Sequence, residues 1–463
     1  MLFNSFTFLH FFLPVFLAVY FLVKEIRTKN IVLLLFSLIF YAWGEEELVL
    51  LLLLSSLVDF YAGKLIQQDK RKLGLSLSLG FNLSILFFFK YLDFVVENIR
   101  SLAGIEHEPL EIALPIGISF FTFQTMSYTI DVYRGKIPAQ KDFLDFATYV
   151  CMFPQLIAGP IVRYADIKTE LQSRTIDWNK ISVGCERFII GLAKKMLIAN
   201  YFAQIADDVF NYDIASLSFY DAWLGIIAYT LQIYFDFSAY TDMAIGLGLI
   251  LGFTFPENFN YPYISKSIRE FWRRWHMTMS FWFRDYVYIS LGGNRVSAFR
   301  NHLNLFIVFV VTGLWHGASW NFIVWGLIHG TVIILERRFP GFFERIPSAL
   351  KWLYTFLVVL IAWVFFRADT IGEAFHYIRA LCLFDFDTAL FLRAYLIDIK
   401  FWIVLVIGLA FCSPFIWTRC LAPWRAKTSN KRILYYLLLC IVFALSIIYL
   451  SSASYDPFIY FRF

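Results

Sequence analysis

Two histidines hold the residue types and settings from which this sequence could do chemistry. His316 stands in "GLWHGASW" and His276 in "RRWHMT". A neutral imidazole is the side chain best matched to proton transfer near pH 7. If a helix begins near His302 at the cytoplasmic surface, His316 lies about 21 Å along it, near the middle of a roughly 30 Å hydrocarbon core. An ionisable group at that depth points to a functional site. Gly313 and Gly317 beside it permit close backbone approach or a helix break, and either would admit a substrate to the ring. The plainer reading of His316 is a hydrogen-bonded packing histidine beside Trp315 and Trp320. On one continuous helix His329 would stand roughly 140° around the axis and about 20 Å along it from His316, too far to share a metal. His329, in "WGLIHGT", therefore reads as a structural or lining histidine. His10, His107, His302 and His376 fall in an outer span, a loop, a helix start and a polar connector.

The elements that must position these imidazoles are set by composition. The chain has 463 residues, of which 60% are hydrophobic, 20% aromatic and only 16% charged. Its mean hydropathy is +0.64. A soluble domain carries roughly a quarter charged residues, so this is a polytopic membrane protein. The apolar run after "MLFNSFTF" continues to Val23 without a small-residue cleavage site, and reads as a first span rather than a signal peptide. The six cysteines (Cys151, Cys185, Cys382, Cys412, Cys420 and Cys440) form no CxxC pair, which suggests neither a disulfide framework nor a zinc site. The net charge of +5 is dispersed between apolar runs, a membrane-orientation pattern and not a nucleic-acid one.

Spans of about 20 apolar residues are expected near 5–23, 31–43, 47–63, 74–96, 110–131, 144–162, 183–203, 219–252, 302–338, 352–367, 398–418 and 433–452. That gives an all-α membrane protein of about a dozen transmembrane helices, a single domain over 1–463. Its motifs lie within about 110–340, and peripheral helices occupy 1–100 and 350–463. The runs 219–252 and 302–338 would reach roughly 50 Å or more, so each is expected to be broken, strongly tilted or folded into two. Pro154, Gly159 and Pro160 make 144–162 a candidate kinked or re-entrant element. Basic loops carrying Lys24, Arg27 and Lys29, then Lys64, Lys70, Arg71 and Lys72, flank the acidic "GEEE" turn. The positive-inside rule then puts the N-terminus outside the cell, and the closing "SYDPFIYFRF" outside as well.

Residues 257–295, "ENFNYPYISKSIREFWRRWHMTMSFWFRDYVYISLGGNR", are too charged to span and rich in aromatics. Helical spacing would align Phe271, Trp275, Thr278 and Trp282 on one stripe and Arg269, Arg273 and His276 on the next, as at a membrane interface or a cytoplasmic mouth. Further polar groups inside apolar runs are Asp131, Gln155, Glu186, Arg187, Lys194, Lys195, Gln232, Asp236 and Asp242. Most are expected in interhelical pairs, with Asp236 and Asp242 the best placed to touch a cavity.

Together, "FPQLIAGPIVRY", "IGLAKKMLIAN", "YFDFSAYTDMAIGLG", "ENFNYPY", "EFWRRWHMTMSFWFRDYVYISLGGNR" and "LWHGASWNFIVWGLIHG" resemble the membrane-bound O-acyltransferase family. The likeness is closest to its bacterial branch for alginate, peptidoglycan and cellulose O-acetylation, with the D-alanyl transferase of teichoic acids further off. It covers nearly the whole chain. The resemblance implies a ring of tilted helices around a central funnel, the family histidine at His316 and its polar partner at His276. It also implies acetyl-CoA as donor substrate with no permanently bound cofactor or metal, and an acceptor that is an extracytoplasmic polysaccharide or an exported SGNH-type acetyltransferase. The location it implies is the bacterial inner membrane.

Acyl transfer to a hydroxyl needs a base and a means of holding the thioester as charge develops on its carbonyl. His316 can be the base, and His276 can orient substrate or stabilise charge. Trp315, Asp236, Gln155, Arg273 and His329 are the candidate tunnel-lining or supporting residues. Lys266, Arg269, Arg273, Arg274 and Arg295 can attract coenzyme A phosphates. No GxSxG elbow is present. Two other classes fit the composition: a transporter or channel with a histidine and aspartate path, against which the span pattern shows no inverted repeat, and a scaffold for an exporter.

Overall fold

The computed structural model describes the whole chain except residues 106, 107, 109, 111, 384–388, 427–429 and 453–463. His107 and the "SYDPFIYFRF" tail thus lie outside the described residues. Every regular element among the described residues is helical. Among the described residues, six helices are long and apolar enough to cross a membrane, or seven if the pair Leu390–Leu396 and Ile399–Phe411, bent by 90°, makes one crossing.

This is fewer than the dozen expected spans, because several apolar runs form shorter pieces. Residues 144–162 fold as Phe143–Cys151, a four-residue turn of helix at Phe153–Leu156 and a non-helical turn beyond it. The 302–338 run splits, as its length required, into Ala298–His316 and Trp320–Arg338. The 219–252 run does not break. It is one helix of 33 residues, Phe219–Leu251, about 50 Å long at 1.5 Å per residue. Every residue from Leu231 to Tyr240 is buried, so protein and not lipid surrounds its polar side chains.

The chain divides into two compact units, Met1–Phe188 with Thr241–Pro256, and Ile189–Tyr240 with Glu257–Phe463. In the first, Phe153 meets the rings of Phe12 at 5.5 Å and Phe16 at 5.1 Å edge-on, which fixes the "FPQLIAGP" turn in an aromatic core. Gly184 faces the Gly246 carbonyl so closely that a Cβ would stand 2.6 Å from it. Small residues let these helix backbones touch where no water drives them together. Arg187 pairs with Asp242 at 2.9 Å.

In the second unit, the long helix and the π-helical turn Lys194–Ala199 are joined by an ion pair between Lys195 and Asp236 at 2.8 Å, both 2% exposed or less. Arg367 reaches Asp207 at 2.7 Å. Asn430–Ser452 presents Leu434, Leu437, Ile441 and Ile448 outward. An exposed apolar face of this kind matches a lipid environment.

Candidate active site

The site is assembled in the second unit around a break in the chain. The helix Ala298–His316 ends on His316, and Gly317 continues in extended conformation before Trp320–Arg338 begins. The two helices run against each other at their glycines. A Cβ on Gly313 would strike the Phe322 carbonyl, one on Gly326 the Phe309 carbonyl, and one on Gly317 the Phe322 ring. His316 is therefore not mid-helix, as a continuous span would have it, but at a helix end.

The break also revises the distance to His329. Both imidazoles meet the Trp325 ring edge-on, with ring centroids at 5.0 Å in each case. His329 is fully buried, lies parallel to Phe271 at 6.0 Å and edge-on to Trp272 at 5.2 Å. Neither of its ring nitrogens has a hydrogen-bond partner among the described residues. It is packed among aromatic rings.

The second histidine arrives on a segment that is not one helix. Ser267 caps Ile268–Trp272 through Glu270 N at 3.0 Å. Glu336, from the facing helix, accepts from Ile268 N at 2.7 Å and Arg269 N at 3.2 Å. These bonds satisfy donors that a helix start leaves open. The chain then turns at His276, whose φ of 42° and ψ of 54° are left-handed, and resumes as Met277–Trp282. A non-glycine residue in that region must be held by its surroundings. The expected stripe of Phe271, Trp275, Thr278 and Trp282 is consequently interrupted between Trp275 and Thr278.

Asn258 does the holding. Its backbone carbonyl accepts from Met277 N at 2.9 Å, and its Oδ1 accepts from Thr278 N at 3.2 Å and Thr278 Oγ1 at 2.9 Å. The same Oδ1 lies 3.1 Å from His276 Nδ1. Two residues on, Asn260 N donates to the Arg274 carbonyl at 2.9 Å. His276 is fully buried, and burial pushes its imidazole down to about 3, which keeps the ring neutral near pH 7.

Trp315 joins the two candidate catalytic residues. Its ring lies 5.9 Å from that of His276 and 4.9 Å from that of His316. Phe237 covers His276 at 4.7 Å, and Phe366 covers His316 at 5.1 Å. Of the other sequence candidates, Asp236 neighbours Phe237 on the long helix and is committed to Lys195. Arg273 is exposed three residues before His276, as are Lys266, Arg269 and Arg295. Gln155 lies in the other unit, buried, and donates to the Tyr149 carbonyl at 2.5 Å. Asn258, Glu336 and Trp325 were not singled out from sequence. The asparagine sits in "ENFNYPY", where its place before a proline-bearing turn was a signal for a backbone-binding side chain.

Comparison with known proteins identifies the family of the chain. Residues 38–371 match the model of MBOAT, the membrane-bound O-acyltransferase family. The chain is 40% identical to the probable alginate O-acetylase AlgI of Pseudomonas putida, over the full length of both. It is 34% identical to the peptidoglycan O-acetyltransferase of Helicobacter pylori, over 100% of this chain and 98% of that one. With the teichoic acid D-alanyltransferase of Bacillus subtilis it shares 30% identity, over 53% of this chain and 64% of that one. The chain belongs to the membrane-bound O-acyltransferase family and is a polytopic membrane acyltransferase.

Proposed function

We propose that this protein transfers acetyl groups from cytoplasmic acetyl-CoA, through its membrane body, toward an extracytoplasmic polysaccharide of alginate, cellulose or peptidoglycan type. The reading places it in the bacterial inner membrane with its N-terminus outside, and has an exported SGNH-type acetyltransferase receive the group on the far side. The observation that carries it is the pairing of His276 and His316 on Trp315. Two relatives aligned along their whole lengths are named for O-acetylation, which favours acetyl over D-alanyl transfer.

In this reading the acceptor hydroxyl attacks the thioester carbonyl, the carbonyl oxygen takes up negative charge, and coenzyme A leaves as the thiol. His316 removes the hydroxyl proton as the new C–O bond forms and can return it to the departing sulfur. His276 orients the substrate. The aromatic wall keeps bulk water from the thioester, which suppresses hydrolysis. Exposed Arg273, with Lys266, Arg269 and Arg295, supplies positive charge for the coenzyme's phosphates.

The test is transfer of labelled acetyl from acetyl-CoA by the purified full chain in liposomes. Mannuronate oligosaccharide, cello-oligosaccharide, muropeptide and the SGNH protein are offered in turn. Transfer to one of them that fails in His316→Ala supports the reading. Ion flux without acetyl transfer to any of the four would replace it with a transporter.

A further inference from the structure

We infer that Asn258 is a positioning residue that selects one tautomer of His276 and so makes the imidazole face its substrate as a hydrogen-bond acceptor. The inference deepens the acyl-transfer reading and rests on it for the identity of the substrate, though not for the tautomer itself.

Thr278 N is a backbone donor and can only donate, and it points at the Asn258 side-chain atom 3.2 Å away. That atom must be the oxygen. The same oxygen stands 3.1 Å from His276 Nδ1. An amide oxygen cannot donate, so Nδ1 carries the hydrogen. A neutral imidazole has one N–H, and Nε2 therefore keeps the lone pair. Asn258 also pins the ring's backbone, because its carbonyl holds Met277 N immediately after the left-handed residue. Tautomer and ring direction are thus set by one fully buried side chain and its own carbonyl.

The consequence is a choice between the two roles open to His276. A donor to the developing oxyanion would need a hydrogen on Nε2, which this tautomer lacks. An acceptor role, orienting a substrate X–H group beside the base, is the one this tautomer supports. This is the arrangement by which an outer partner governs an imidazole's working nitrogen.

Three variants of the full-length protein in liposomes test the inference. Asn258→Leu removes the acceptor at similar size, Asn258→Asp keeps an acceptor and adds a charge, and Thr278→Val removes only the Oγ1 contact. Nitrogen-15 spectra of histidine-labelled protein read the tautomer without any activity. Wild type, Asn258→Asp and Thr278→Val should show His276 protonated on Nδ1, whereas Asn258→Leu should show the other tautomer or a mixture. With labelled acetyl-CoA, Asn258→Leu should lower kcat about 10²-fold with the KM for acetyl-CoA unchanged, and Asn258→Asp should recover most of it.

In Asn258→Asp the added carboxylate favours the imidazolium, so the fall in activity on acidification should begin at a higher pH than in wild type. A purely structural asparagine would not move that limb. The titratable or charged groups nearest His276 along the elements whose rings meet it are His316, next to Trp315, and Asp236 with Lys195, next to Phe237; on its own segment they are Glu257, and Arg273 and Arg274 with Glu270. All are common to wild type and variants. A wild-type His276 protonated on Nε2, or an Asn258→Leu protein with wild-type kcat, overturns the inference. Absent acetyl transfer in wild type with the expected tautomer would instead count against the acyl-transfer reading alone.

Discussion

Two regions of the molecule bury polar groups among apolar helices and use them differently. In the first unit, Asp59 of helix Val49–Gln67 has no exposed surface, and its carboxylate accepts from Ser78 Oγ, from Thr129 Oγ1 at 3.0 Å and from Asn82 Nδ2 at 2.8 Å. Asn82 in turn accepts from Ser55 at 3.3 Å and Thr125 at 3.2 Å. This one acid ties together Val49–Gln67, the helix carrying Ser78 and Asn82, and Ile118–Tyr133 through short neutral side chains. In the second unit, two imidazoles are walled by tryptophan and phenylalanine rings, and Nδ1 of His276 is engaged by the Asn258 amide. Buried polarity alone does not mark a reaction site. What separates the regions is that one spends its polar atoms on binding helices together, while the other sets imidazoles edge-on among rings.

The comparison breaks most sharply on activity. His316→Ala should reduce acetyl transfer by about 10³-fold or more, within the range of a lost general base, while leaving the thermal unfolding midpoint close to wild type. Asp59→Ala should do the reverse. Three donors lose their acceptor, costing about 2–4 kcal/mol in unfolding free energy, with kcat per folded molecule retained. If Asp59→Ala abolishes turnover in stable protein, the division of labour between the regions is wrong.

Lys195→Met probes a third use of buried polarity. It strands Asp236 without its cation and should cost about 3–5 kcal/mol, whereas Lys195→Met with Asp236→Leu should recover much of that loss. Recovery of stability without recovery of transfer would show that the pair shapes the wall behind Phe237 as well as holding helices.

Much of this was legible in the sequence, for reasons visible in particular residues. The low share of charge made the class plain, and the length of 302–338 demanded the break that His316 now terminates. Separation along one continuous helix was the wrong measure for His316 and His329, because Gly313, Gly317 and Gly326 convert sequence distance into a tight reversal. That reversal brings His316 and His329 onto one tryptophan. Of the three outcomes expected for 219–252, the unbroken Phe219–Leu251 helix removes breaking and folding into two and leaves a single tilted helix; burial along Leu231–Tyr240, which composition does not report, is what shelters its polar residues. Asp59 and Asn258 were passed over because the partners that give the lone acid in "SSLVDFYAG" and the asparagine in "ENFNYPY" their roles stand 19 to 70 and 18 to 20 positions away.

The smallest expected effect separates two adjacent arginines. Arg274 is engaged, with Nε on Glu270 at 3.0 Å and Nη1 on the Asn260 carbonyl at 3.1 Å. Arg273 points its charge to the exposed side of the same turn. Under the proposed acetyl-CoA reading the phosphate-attracting role falls to Arg273, and Arg273→Gln should raise the KM for acetyl-CoA roughly three- to tenfold, the scale of one partly screened charge. Its kcat should hold, and the sensitivity of KM to salt should weaken. Arg274→Gln loosens the turn that carries His276 and should lower kcat more than it raises KM. Identical kinetic signatures for the two variants would mean that the turn, and not its exposed charge, governs donor binding.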